Sequence, residues 1–348
     1  MQLTLDGDVV RAGNRARERF YDSRGYGRAR GGDLDLAPVE AAHLCYRGDI
    51  DAVDGMDVQE LLSSGVVSAV DFLVYKDLRD RGFYLTPARE GWVDDPDGVD
   101  FVVYPRGKGP WDDAVAHRVR VVGERDDVPA ASLGDCVLAV VDEESELTYL
   151  DTSRRSIEGT SSADVPEVRG ELLAERVLCW GPPAALYEQA FYGQQLDEDA
   201  VQLSLVEAAY LAREGVLSVD GGEPSDAGRA SSARSADGGA DAVVDRGRNV
   251  EGERFDRRLR VYAALRDSGV VPKTGFKFGA DFRTYADVES VDDLGHSELL
   301  VRVLPEGHAF EPRDLALDVR LAHGVRKTMV FALVGDGIEW VQVERLTP

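Results

Sequence analysis

Lysine is scarce. Only five of the 348 residues (Lys76, Lys108, Lys273, Lys277 and Lys327) are lysine, so 35 of the 40 basic residues are arginine. Against them stand 65 Asp and Glu, and 40 − 65 gives −25 at pH 7. An acidic, lysine-poor composition fits a proteome adapted to high salt, where a Debye length of about 3 Å screens the self-repulsion of the surface. In dilute salt such a charge argues against nucleic acid, because phosphate binding draws on Lys and Arg. In brine the net charge loses that meaning, and local patches decide. Cysteine is sparse too: Cys45, Cys136 and Cys179 are odd in number and far apart, without a CxxC or Cys–His cluster. That argues against a disulfide framework and a zinc site, and leaves the cysteines as small core residues; neither a cofactor nor a metal is expected. No run of 18 apolar residues is present, and the first twenty residues lack the apolar stretch of a secretory signal, so no membrane span and a cytoplasmic location are expected. What remains, 43% hydrophobic and 30% charged residues over this length, describes a soluble globular protein of two or more domains.

The chain contains a copy of itself. VEAAHLCYRGDI at residues 39–50 realigns with VEAAYLAREGVL at 206–217, and both copies then reach Val-Asp-Gly, at 53–55 and 219–221. Farther on, Val74-Tyr75 to Gly82 matches Val261-Tyr262 to Gly269. The Gly-, Ser- and Asp-rich stretch 221–249 absorbs the growing offset and is expected to be a flexible insertion. Each copy reads as a small helical unit followed by a β-rich one. Pro38, and Ser204 with Glu207, mark helix starts; Phe72, Tyr75 and Leu78, and Phe255, Leu259, Tyr262 and Leu265, each form a helix stripe. Leu299, Val301 and Val303 predict a strand that alternates inward and outward, Leu315, Val319 and Ala322 a helix face ending at Gly324, and Met329–Val334 and Ile338–Val343 two strands around Gly335-Asp336-Gly337. The fold class is therefore α/β (α+β) in tandem. The expected domains are 1–65 and 66–167 for the first repeat, 168–253 (with the insertion) and 254–348 for the second.

The copies differ where chemistry could sit. Asp281-Phe282-Arg283-Thr284-Tyr285 aligns with Asp100-Phe101-Val102-Val103-Tyr104, and His296 is expected to align with His117. Lys327, however, falls opposite Gly134 and exists in one copy only. The first copy has 11 residues (123–133) where the second has 23 (304–326), so its intervening helix is expected to be short or absent. One copy reads as active and the other as its structural partner.

The segments FKFGADFRTY (276–285), GHSELLVRV (295–303) and DVRLAHGVRK (318–327) resemble the archaeal tRNA-splicing endonucleases in their tandem-repeat, homodimeric form. The resemblance spans nearly the whole chain apart from 221–249. It implies cleavage of precursor tRNA at a bulge-helix-bulge, with other bulged RNAs as conceivable substrates, by Tyr285, His296 and Lys327. Metal-free cleavage of RNA needs a base for the 2′-OH proton, an acid for the departing 5′-oxygen and a cation against the phosphorane charge, and these three residues supply those roles in order. The products would be a 2′,3′-cyclic phosphate and a 5′-OH. A phenol with a reference pKa of ~10 needs nearby cations or concerted transfer to serve as the base. The resemblance also assigns Arg320 and Arg345 to gripping an unstacked nucleotide, a task suited to guanidinium planes. It further implies a dimer contact for the acidic turn Asp142, Glu143, Glu144 and Glu146.

Taken singly, each residue has an ordinary explanation. Tyr285 alone would be a half-buried loop aromatic, and its copy Tyr104 persists in the half without the lysine. A histidine before a strand is usually surface or core, where His308 and His323 are left, and an acidic turn in so acidic a chain is usually solvated. Two rivals remain: a noncatalytic RNA-binding or assembly subunit on the same fold, against which the three residues together speak, and a metal-dependent DNA nuclease, for which no carboxylate-plus-lysine cluster is visible.

Overall fold

Both Val-Glu-Ala-Ala segments form helices, Pro38–Tyr46 and Leu205–Arg213. The second begins with the expected capping box: Ser204 Oγ accepts the Glu207 N–H at 3.3 Å while Glu207 Oε2 accepts the Ser204 N–H at 3.0 Å. In the first, Pro38 fills the first turn and Glu40 Oε2 accepts the Ala37 N–H at 2.9 Å. That box is one-sided, because alanine has no side-chain acceptor to return.

The computed structural model describes residues 3–220 and 236–348. The chain divides into two units, Met1–Ser153 with Ala309–Arg320 and Val343–Pro348, and Arg154–His308 with Leu321–Gln342. The break thus comes earlier than the 167/168 boundary read from the repeat. In the first unit, Thr4–Asp6, Val9–Ala12, Asp33–Leu36 and Arg28–Arg30 form an antiparallel sheet in that order. Leu85–Pro87, Phe101–Val103, His117–Gly123, Asp135–Val141 and Leu147–Arg154 then lie side by side, antiparallel except for the central pair His117–Gly123 and Asp135–Val141. One core, from Leu3 to Tyr149, runs through both pieces and takes in Phe72, Tyr75 and Leu78 of helix Ala69–Asp80.

The second copy repeats this plan. Helix Glu253–Asp267 buries Phe255, Leu259, Tyr262 and Leu265, and Val271–Thr274, Phe282–Tyr285, Leu299–Pro305, Thr328–Val334 and Ile338–Leu346 follow in sheet order. Leu299–Pro305 and Thr328–Val334 run parallel, which requires a crossover; helix Pro312–Gly324 supplies it, with Leu315, Val319 and Ala322 buried. The corresponding crossover of the first copy holds one short turn, Ala130–Ser132, as its 11 residues predict. Leu299–Pro305 departs from simple alternation: Leu300 and Leu304 are buried along with Leu299, Val301 and Val303. A parallel interior strand is covered on both faces, so both faces are apolar. Cys136 and Cys179 are buried and Cys45 half-buried, all as free thiols. Among the described residues no helix is long and apolar enough to cross a membrane.

The duplication extends to side chains. Arg79 Nε donates to Tyr75 Oη at 3.0 Å and lies 3.7 Å over the Tyr26 ring; Arg266 Nε donates to Tyr262 Oη at 3.1 Å and lies 3.7 Å over Tyr192. Gly27 and Gly193, at φ of 71° and 65°, donate their N–H groups to Glu40 and Glu207. A Cβ there would come within 2.3 Å of Asp35 O and 2.4 Å of Gln202 O, so only glycine fits. The copies diverge at one buried partner. Lys273 Nζ donates to Glu207 Oε1 (3.1 Å), Gly193 O (2.6 Å) and Phe191 O (3.2 Å). Strand register gives Thr86 that position in copy one, so Glu40 has no ammonium beside it.

The expected flexible insertion needs correction. Residues 221–235 lie outside the described residues, but Ala236–Glu251 is a helix, with Val243 and Val244 buried. Gly247 lets it close on the next helix, since a Cβ there would meet the Phe255 ring at 2.3 Å. Small residues that signal a linker in composition here permit close helix packing, and Gly252 at φ 63° separates the two helices.

Candidate active site

Three adjacent strands bring the site together. Thr284 pairs with Leu299, and Leu299 pairs with Thr328; the Glu298 N–H donates to Thr284 O at 3.1 Å and the Thr328 N–H to Glu298 O at 3.0 Å. Tyr285, Glu298 and Lys327 therefore stand in one row at the same end of the sheet. With strands about 4.8 Å apart, the Tyr285 and Lys327 Cα atoms are roughly 10 Å apart, within reach of one phosphate for two long side chains. His296 enters two residues before this row, exposed, on the segment leading into Leu299–Pro305.

Each side chain is held differently. Tyr285 is buried among Phe191, Val271 and Val288, with the Phe191 ring edge-on at 5.7 Å. The Arg283 guanidinium lies 5.8 Å from the Tyr285 ring, and its buried Nε has no hydrogen-bond partner among the described residues. Lys327 is half-buried, donating from Nζ to Ser297 O and Ser297 Oγ at 2.5 Å, with the Phe278 ring at 5.6 Å. Burial, and after it the charge of Arg283, draws the Lys327 ammonium below its ordinary value.

The placement of Lys327 comes from how the crossover helix ends. The Lys327 N–H donates to Ala322 O at 2.9 Å and the Arg326 N–H to His323 O at 3.0 Å, which together form a Schellman cap. The left-handed position of that cap, usually glycine, is Arg326 at φ 57°. A non-glycine residue there costs about 1 kcal/mol, and the cap delivers Lys327 directly to the start of Thr328–Val334.

Register corrects one alignment. His117 pairs with Val103 as Leu299 pairs with Thr284, so His117 occupies the place of Leu299, not of His296. It sits half-buried inside its own strand, and burial lowers its pKa. Gaps in loops move a histidine by a few residues without disturbing a pattern match, whereas hydrogen-bonded register does not permit it. Copy one thus lacks a counterpart of both His296 and Lys327. The sequence alone assigns no role to Ser297 or Arg283 and no unusual backbone to Arg326; the change from Val102 to Arg283 between copies is the available signal.

The other expected residues lie on other elements. Arg320 is exposed on helix Pro312–Gly324 and Arg345 is exposed on the last strand, Ile338–Leu346. Asp142, Glu143, Glu144 and Glu146 form an ordered turn of the first unit, in which Asp142 Oδ1 accepts the N–H groups of Glu144 (2.9 Å) and Glu146 (2.8 Å). Glu143 pairs with Arg125 at 2.8 Å. Among the described residues, no three His, Cys, Asp or Glu side chains gather as a metal site would require.

A phenol, an imidazole and an ammonium at one sheet end, with a guanidinium alongside, form a set suited to proton transfer at a phosphate. The sequence pattern of the tRNA intron endonuclease N-terminal domain matches the chain twice, at residues 1–62 and 168–227. That of the tRNA intron endonuclease catalytic C-terminal domain matches once, at 255–340, the copy that holds the row. The tRNA-splicing endonuclease of Haloarcula marismortui is 74% identical over 352 residues, and that of Natronomonas pharaonis 61% identical over 353, each alignment covering both chains completely. The tRNA-splicing endonuclease of Methanosarcina acetivorans is 37% identical, over 99% of each chain. The chain belongs to the tRNA-splicing endonuclease family.

Proposed function

We propose that this enzyme removes introns from precursor tRNA by cutting without a metal at the two bulges of a bulge-helix-bulge. The 2′-oxygen of the nucleotide before the cut bonds to phosphorus as its proton passes to Tyr285 Oη, which accepts it as the phenolate and becomes the neutral phenol. The bond from phosphorus to O5′ breaks, and that oxygen takes a proton from the His296 imidazolium. Lys327, anchored by Ser297, faces the charge gathered on the non-bridging oxygens. A 2′,3′-cyclic phosphate and a 5′-OH result. The observation that carries this reading is the row across Phe282–Tyr285, Leu299–Pro305 and Thr328–Val334, present in one copy only.

Arg320 and Arg345 would hold an unstacked bulge nucleotide. Two chains, each with one active copy, would form a homodimer whose symmetry suits a substrate with two related cuts. Asp142, Glu143, Glu144 and Glu146 would dock on the partner subunit, and a cytoplasmic location would accompany this work. The test is incubation of a labelled precursor tRNA with the full chain in high salt and excess EDTA. Two cuts leaving cyclic phosphate ends are expected; no cleavage until a divalent metal is restored, or 3′-OH ends, would overturn the mechanism.

A further inference from the structure

Phe276 is 85% exposed. It stands on a short turn, Phe276–Phe278, that is tightly built: the Gly275 N–H donates to Asp281 O (3.1 Å), Phe278 to Gly275 O (2.8 Å), Gly279 to Phe276 O (3.2 Å) and Ala280 to Gly275 O (3.2 Å). Gly275 leaves no room for a side chain, since a Cβ would meet Ala280 O at 2.8 Å, and Gly279 closes the turn at φ 71°. The backbone thus fixes Phe276 outward although its ring has no packing role. The same turn carries Lys277, which is exposed, and Phe278, whose ring lies 5.6 Å from Lys327 Nζ.

The first copy supplies an internal comparison. Its Gly98 also has positive φ, at 74°, and its Asp100 Oδ2 accepts the Val121 N–H (2.7 Å) as Asp281 Oδ2 accepts the Val303 N–H (2.8 Å). Counted back from those glycines, copy two has Phe276-Lys277-Phe278 where copy one has Asp95-Pro96-Asp97. The copy that holds Lys327 thus exchanges two carboxylates for two aromatic rings and an ammonium, in a chain with five lysines. Carboxylates repel phosphate, whereas an aromatic face with a neighbouring cation is how proteins hold an unpaired nucleotide.

We infer that Phe276 and Lys277 form a docking platform for single-stranded RNA beside the cleavage site: Phe276 stacks on an unpaired base, and Lys277 meets a backbone phosphate. The inference rests on the proposed RNA cleavage. The rigid turn keeps the ordering cost of binding low. Phe276 is a positioning residue, since its ring holds the nucleotide and takes no part in proton transfer.

The test uses the full chain in molar KCl, with a bulge-helix-bulge RNA for cleavage and, for binding, an RNA hairpin carrying a three-nucleotide bulge with 2-aminopurine at each unpaired position in turn and a fully paired duplex as control. Phe276→Ala is expected to bind the bulged RNA about 5- to 150-fold more weakly, the span of one lost base–aromatic stack. It should also lose the 2-aminopurine signal at one position and leave duplex binding unchanged, while Phe276→Trp restores all three readouts. Lys277→Ala should reduce the slope of log affinity against log salt by about 0.7. Wild-type affinity and signal in Phe276→Ala, with cleavage by the wild type intact, would overturn the platform alone. A wild type that binds but does not cut would strike the proposed function first and remove the platform's premise with it.

Discussion

Replacing Lys273 by threonine would give the second copy the residue that the first already has at Thr86, and its effect follows from comparing the two buried glutamates. Glu40 accepts the Gly27 and Ala37 N–H groups at 2.7 and 2.9 Å without an ammonium beside it, and burial pushes its carboxyl up to about 7. Burial would do the same to Glu207, but Lys273, together with the Ser204 and Gly193 N–H groups, brings it down to about 2. Removing one member of such a buried pair leaves a charge without its counter-ion, a loss of about 3–5 kcal/mol. In the wild type, the contribution of Glu207 is intact above its ordinary value of 4.5 and is lost only as pH falls toward 2. In Lys273→Thr, Glu207 behaves as Glu40 does: its folded pKa lies above the unfolded one, so stability is lost as pH rises from 4.5 through about 7. Urea denaturation in molar KCl should therefore show a small difference from wild type near pH ~5 and the full one by pH ~8. A loss under ~1 kcal/mol at the higher pH, or an equal loss at both, would refute this account of the pair.

Arg326→Gly should raise stability by about 0.5–1 kcal/mol in the same assay, because the left-handed cap at φ 57° then carries no Cβ; a loss of stability would show that the arginine side chain holds the cap. Gly193→Ala should cost about 2–3 kcal/mol, since its Cβ would meet Gln202 O at 2.4 Å, and a neutral result by thermal melting would contradict the close approach. Lys327→Ala should slow single-turnover cleavage at least ~100-fold with little change in melting temperature, the loss of one preorganised cation at the transition state. A large fall in stability with a small fall in rate would reverse that assignment.

The duplication was legible because Glu40 and Glu207, and Tyr75 and Tyr262, carry the same local duties in both copies, and hydrophobic spacing survives divergence. Lys327 stood out because one copy lacks it. Other features depend on contacts distant in sequence. The ammonium of Lys273 is tied to Glu207 by a fold that joins residues 66 positions apart. The helix Ala236–Glu251 was hidden because glycine and alanine read as linker in composition, while Gly247 serves close packing against Phe255. The place of His117 required strand register, which a pattern match in loops does not carry. The left-handed backbone of Arg326 was not legible, because nothing in an arginine announces a positive φ.

The central claim is that one copy performs the chemistry and the other does not. Its most direct test is cleavage of a bulge-helix-bulge RNA, in high salt with EDTA, by His296→Ala and His117→Ala in parallel. The account predicts at least ~100-fold slower cutting for His296→Ala, the usual worth of a positioned acid, and a wild-type rate for His117→Ala. Equal losses in the two variants, or no loss in His296→Ala, would contradict it.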